Sequence, residues 1–332
     1  MKCSTQFSLI FRREDNKLAE SEKCGFPANK TLAVLSKAEQ AVADSHLDKG
    51  APASLQQHCG ELEKLIGLTR VKELVRELRA YVEICRRRQS FHLKNDNLVL
   101  HMVFKGNPGT GKTTVARILG KMLAEMQVLP QGHLIEVERA DLVGEFIGHT
   151  AQKTREQLKK AVGGILFIDE AYSLARGGGK DFGKEAIDTM VKAMEDNKNQ
   201  LIIILAGYEK EMEKFLRTNP GLRSRFPIHL DFPDYTCAEL LEIALLMVQE
   251  RQYQLNTGAV DYLRRYLQEQ IDHNTANFSN ARLVRNLVER AIRRQALRLV
   301  ERRIYGRDEL MQIIREDLLP QEKDECSCTI AK

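Results

Sequence analysis

The stretch Gly106-Asn107-Pro108-Gly109-Thr110-Gly111-Lys112-Thr113 fits G-x-x-x-x-G-K-[ST], and it constrains everything on either side of it. Its three glycines let the backbone turn back on itself, so that loop N–H groups converge on a polyphosphate. Lys112 would set a point charge against the β- and γ-phosphates, and the Thr113 hydroxyl would ligate Mg²⁺. The flanks support this reading. Upstream, Leu98 to Phe104 is almost wholly apolar, the composition of a parallel strand covered on both faces. Downstream, Val115, Ile118, Leu119 and Met122 recur at i, i+3, i+4, i+7, the stripe of an amphipathic helix. A glycine-rich loop between a strand and a helix N-terminus is a ready anion site.

A second anchor follows about fifty residues on. Ile165-Leu166-Phe167-Ile168 runs straight into Asp169-Glu170, a buried strand whose C-terminal edge carries two carboxylates. That edge is where open α/β sheets hold their ligands. Asp169 is the expected acidic partner of the Mg²⁺ shell. Glu170, one residue further, is placed to accept a proton from an attacking water. Leu134-Ile135-Glu136-Val137, Leu201 to Ala206 and Ile228 to Phe232 read as further strands, giving five in a parallel sheet with flanking helices.

Pro233-Asp234 then interrupts the chain, and beyond it the pattern is helical. Thr236-Cys237-Ala238-Glu239 is a capping box that opens one helix. A second is expected over about 259–270, and a third carries Val284, Leu287, Val288, Ala291 and Ile292 at helical spacing. The division expected is a weakly structured or helical N-terminal extension over 1–55, an αβα nucleotide-binding core over 56–233, an all-helical lid over 234–318 and a polar tail over 319–332.

Composition narrows the class. With 43% hydrophobic and 29% charged residues the chain is an ordinary globular one, and a net charge of +5 is too mild by itself to argue for nucleic acid. The seven cysteines are odd in number and scattered, with only Cys326 and Cys328 close together. No pair has zinc-site spacing, and a reducing cytoplasm is the simplest compartment. No apolar run approaches the ~20 residues of a membrane span.

These motifs together resemble the AAA+ ATPases over about residues 56 to 318. Arg139 to Thr154, Phe167 to Leu174 and Leu205-Ala206-Gly207-Tyr208 resemble more narrowly the branch of the red-type Rubisco activases and their sporulation relatives, with the sporulation side the nearer match. The resemblance implies an ATP-hydrolysing, Mg²⁺-dependent homo-oligomeric ring, commonly a hexamer, that remodels or threads a client protein during bacterial spore formation. It makes Gly106 to Thr113 the Walker A loop and Asp169-Glu170 the Walker B pair. Arg225 falls on the arginine finger that reaches a neighbouring subunit's nucleotide, and Arg282 on the lid's sensor arginine. Ile66-Gly67 falls where relatives line the adenine pocket. Phe146-Ile147-Gly148 falls on the pore loop that grips a polypeptide, although the residues alone read as local core beneath the next helix. One position departs from many relatives. Strand four ends in Ala206-Gly207-Tyr208 without the polar sensor, often Asn, that helps place water, and whether Tyr208 or a neighbouring group does that work stays open.

Two other classes remain at this level, a P-loop small-molecule kinase and an ATPase acting on nucleic acid. Glu170 suits activation of water better than orientation of a substrate hydroxyl. The arginines at 282, 285, 290, 293, 294, 298, 302, 303 and 307 make a basic lid, read first as a solvated face and second as the seat of an anionic effector. No aromatic residues interleave between Arg282 and Arg303 to form a stacking platform for single strands, which argues against nucleic acid.

Overall fold

Alternation along the strands sorts the core into two layers around one sheet. The computed structural model describes residues 58, 60–94, 99–146, 148–176, 182–198, 200–273, 278–303 and 306–319. The extension expected over 1–55, Ile147, the glycine-rich 177–180 and the tail from 320 lie outside them. Among the described residues, five parallel strands, β1 (Met102–Gly106), β2 (Leu134–Val137), β3 (Ile165–Ile168), β4 (Ile202–Gly207) and β5 (Ile228–Phe232), stand in the order β2-β3-β4-β1-β5. The helices of this unit are α1 (Thr69–Ser90), α2 (Lys112–Glu125), α3 (Arg139–Leu142), α4 (His149–Ala161), α5 (Gly183–Asp196), α6 (Glu209–Thr218) and α7 (Pro220–Arg223). Met102 and Phe104 join the apolar layer built with α1 and α2, whereas Val103 joins the layer of α4, α5 and α6.

The apolar run from Leu98 suggests a longer first strand than the one that forms. β1 starts at Met102 because the buried His101 imidazole intervenes, its Nδ1 accepting the Ile203 N–H at 3.0 Å. Burial pulls that ring down to about 4, so it stays neutral and free to accept. Several short or sparsely apolar helices, α3, α6 and α7 in this unit, have no counterpart in the sequence reading. α6 nonetheless buries Met212, Phe215 and Leu216 at helical spacing.

Register decides what meets at the sheet's C-terminal edge. Ile168 lies opposite Leu205, and Leu205 lies opposite Val103. The carboxylates after β3, the end of β4 and the phosphate loop after β1 therefore open on the same edge, with β4 between the other two strands.

The lid consists of α8 (Cys237–Glu250), α9 (Thr257–His273), α10 (Asn280–Arg302), α11 (Arg307–Met311) and α12 (Arg315–Leu318) around its own apolar cluster. A two-residue parallel pairing of β6 (Gln254–Leu255) with β7 (Gln312–Ile313) adds to the helices. The capping box forms: Glu239 N donates to Thr236 Oγ1 at 3.3 Å, and Thr236 N donates to Glu239 Oε2 at 2.8 Å. Part of the basic series is internal to the lid. Arg298 makes two 2.9 Å bonds to the buried Asp317, which raises its pKa, and Arg302 reaches Glu316 at 3.5 Å. Among the described residues no helix is long and apolar enough to cross a membrane.

Candidate active site

A cavity of about 1080 Å³ opens where the sheet edge, α1 and the lid meet. One end is aliphatic, with Ile66 and Leu68 ahead of α1 facing Ile243 and Met247 of α8. Such a wall suits the flat face of a base. Gly67 does not line it. That residue turns the chain at φ 66°, close to the Glu239 carboxylate.

The other end is the phosphate loop. Gly106, Pro108, Gly109, Gly111, Lys112 and Thr113 face the cavity, and α2 begins directly after Gly111, which sits at φ 92°. Gly109 has to be glycine: a Cβ there would meet the Ser279 carbonyl and lie 2.8 Å from Arg282 N, because the start of α10 presses against the loop. Asn107 and Thr110 brace the loop through their side chains. Thr110 Oγ1 donates to the Asn107 carbonyl at 2.8 Å, and Asn107 Nδ2 donates to both Asp234 oxygens at 3.0 and 2.9 Å.

Lys112 Nζ donates to the carbonyls of Gly106 at 2.9 Å and Asn107 at 2.7 Å. Burial lowers its pKa to about 8, an effect that Asp169 and Asp234 oppose and Arg282 reinforces. A buried ammonium whose hydrogen-bond partners are all neutral, these two carbonyls and the Thr110 hydroxyl at 3.5 Å, gains from an anionic partner. Arg282 and Arg285 add positive charge from the lid.

Across the cavity stand Asp169 and Glu170. Glu170 takes a left-handed backbone, φ 45° and ψ 43°, costly for a residue with a Cβ. Asp169 Oδ1 accepts the Glu170 N–H at 2.9 Å, and the short 3₁₀ turn Ala171–Ala175 follows. Sequence reasoning missed the residue behind Glu170. Tyr172, a largely buried residue, brings its phenol close enough to interact with the Glu170 carboxylate. Burial first, then the Glu170 charge, push that phenol up to about 12, so it remains a donor. Arg176 lies over its ring at 4.7 Å and Tyr208 packs beside it at 6.1 Å. Tyr208 itself faces the cavity from the end of β4.

The groups near Thr113 suit a hard cation, being oxygen donors throughout: the Thr113 hydroxyl, the two carboxylates and Glu136, whose Oε1 accepts from Thr113 Oγ1 at 3.5 Å. Among the described residues no group of three His, Cys, Asp or Glu side chains could close on a metal unaided. Phosphate oxygens would complete such a shell.

Two expected residues stand away from this cavity. Arg225 donates through Nη1 to the Gly221 carbonyl at 2.9 Å and pairs with Glu195, whose carboxyl it holds below the usual range. Phe146 is 64% exposed, its ring edge-on to His149 at 5.5 Å, so the local-core reading of that side chain does not hold. Gly148 caps α4 at φ 83°, and Ile147 is outside the described residues.

A phosphate loop after β1, paired carboxylates after β3 and a helical lid pressed on the loop define a P-loop nucleotide hydrolase of the lidded kind. Residues 102–234 match the ATPase family associated with various cellular activities (AAA), residues 236–327 match the AAA lid domain, and the chain belongs to this family. It is therefore an ATPase. Over 265 residues it is 56% identical to the stage V sporulation protein K of Bacillus subtilis, covering 79% of this chain and 82% of that one. Over 247 residues it is 47% identical to the chloroplastic ribulose bisphosphate carboxylase/oxygenase activase of Cyanidioschyzon merolae, covering 74% and 84%. The solved Thermotoga maritima RuvB Holliday junction branch migration motor shares the fold alone, at TM-score 0.51 and 21% identity over 77% of this chain and 69% of that one.

Proposed function

We propose that this ATPase acts as a homo-oligomeric ring, a hexamer by the resemblance, that threads or remodels a client protein in the cytoplasm of a spore-forming bacterium. The observation that carries the reading is Phe146, a large apolar side chain left mostly in solvent just ahead of α4. An isolated subunit gains nothing from such exposure, whereas an aromatic on the wall of a ring channel can grip a passing chain. The relative named for sporulation supports the setting, and the relative named as an activase of another protein supports a protein client. Under this reading the core runs over 56–233 and the lid over 234–318.

Within the cycle, Lys112 would neutralise the β- and γ-phosphates, and Thr113 and Asp169 would hold Mg²⁺. The metal's contribution when bound is to screen charge on the phosphate oxygens. Glu170 would take the proton of the attacking water, with Tyr172 fixing the carboxylate from behind. Arg282 would contact nucleotide in its own subunit. Arg225, outside its own cavity, would complete the neighbour's site.

The test is ATPase stimulation by a permanently unfolded polypeptide, compared with single-stranded DNA. The wild-type protein should respond to the polypeptide alone, and Phe146→Ala should keep basal hydrolysis and assembly while losing the response. Stimulation by DNA alone would replace this reading with a nucleic-acid motor.

A further inference from the structure

Asp234 lies two residues beyond the last strand of the core, and its carboxylate is shared between two other parts of the chain. From the phosphate loop, Asn107 Nδ2 donates to Oδ1 at 3.0 Å and Oδ2 at 2.9 Å. From the start of α10, Asn280 Nδ2 donates to the same Oδ1 at 2.7 Å. Hydrogen bonds to an ionised acceptor are the strong ones, so one charge fastens the loop and the lid together.

Asn280 is itself built in. It is fully buried, sits at φ 45° and accepts the Tyr235 N–H on Oδ1 at 2.9 Å. Its Nδ2 also reaches the carbonyls of Phe278 at 3.0 Å and Pro108, inside the loop, at 3.4 Å. Beside it Ala281 N donates to the Gly109 carbonyl at 3.2 Å, and Tyr235 Oη donates to the Thr110 carbonyl at 3.2 Å. The route continues to the charged group of the site, since Lys112 Nζ donates to the carbonyl of Asn107, the residue Asp234 holds.

We propose that Asp234 is a positioning residue for nucleotide binding, coupling the angle of the lid to the shape of the phosphate loop through Asn107 and Asn280. The Asn107 amide nitrogen is taken up by the Asp234 carboxylate, so it serves the joint. A lid held in place pre-orders the loop. A lid displaced by a neighbouring subunit or client pulls on Asn107 and loosens the grip on phosphate. This rests on nucleotide binding at the loop and not on the remodelling reading.

The joint is tested by a double-mutant cycle, Asn107→Ala, Asp234→Ala and both together, with the Kd for a fluorescent ATP analogue and steady-state KM and kcat as readouts. Asp234 is exposed, so its truncation leaves the core intact. Losing a hydrogen bond to a charged group should raise Kd and KM about tenfold, with kcat at saturation moved far less. Because both singles break the Asn107–Asp234 link and only Asp234→Ala also releases Asn280, the double should be no worse than Asp234→Ala. Asp234→Asn, which keeps an acceptor for Asn280, should fall between wild type and Asp234→Ala. Binding by Asp234→Ala within about twofold of wild type, or losses that multiply in the double variant, would overturn the coupling. Lys112→Ala run alongside separates the two levels, since intact binding in that variant would remove the nucleotide site as well.

Discussion

The ring of Tyr172 fills the space beside Gly207 in which a side chain at the end of β4 would stand. A methyl group on Gly207 would lie 2.8 Å from Tyr172 Cδ1 and 2.9 Å from Met212 Sδ. A polar side chain therefore has no room at Gly207 itself, and the residue that faces the cavity from the end of this strand is Tyr208. Tyr172 approaches Glu170 from the turn after β3. Gly207→Ala should cost about 1–3 kcal/mol through overpacking and lower the melting temperature. In a Tyr172→Leu background the same alanine should cost less, because the clash and its relief share one site. A melting temperature unchanged by Gly207→Ala would show that the ring moves aside freely.

Lys112 gives a pH dependence with a definite sign. Burial favours its neutral form in the free protein, with a pKa of about 8. A bound polyphosphate favours the charged form and raises that pKa. Affinity for ATP is thus fully expressed below the free-protein value and weakens as pH rises through it, by up to about tenfold per unit. Nucleotide titrations across this range should show the loss. Lys112→Arg, charged throughout, should bind with a flat profile, and a flat wild-type profile would remove the depressed lysine from the account.

Much of this arrangement is legible in local sequence, and the reason is range. The phosphate loop, the Ile165–Ile168 strand with its carboxylates and the Thr236–Glu239 capping box each declare themselves within about ten residues. What stayed hidden depends on distant parts of the chain. Nothing near Leu201 says that β4 inserts between β1 and β3. Asp234 reads as a chain breaker after Pro233, yet its partners lie 127 residues upstream and 46 downstream. Tyr172 is two residues from Glu170, but its fit against Gly207 exists only in the folded sheet. α6 escaped because Met212, Phe215 and Leu216 are its three buried side chains among charged neighbours.

Arg225 supplies a test of assembly. Its present partner, Glu195, is an exposed carboxylate that a stronger anion could replace. If Arg225 completes the neighbour's site, Arg225→Ala should lose on the order of a thousandfold in turnover. Mixing it with Lys112→Ala subunits should restore activity, since some interfaces then pair an intact loop with an intact arginine. Mixed rings that exchange subunits and stay inactive would place the arginine's role within its own subunit.

Hydrolysis turns on Glu170, the left-handed residue at the edge of β3 with Tyr172 beside its carboxylate. The most direct measurement is single-turnover hydrolysis by Glu170→Gln, with ATP binding measured on the same sample. The variant should bind ATP like the wild type and hydrolyse it about a hundredfold or more slowly, because only the proton acceptor is gone. Hydrolysis by Glu170→Gln near the wild-type rate would contradict the assignment of this carboxylate as the base.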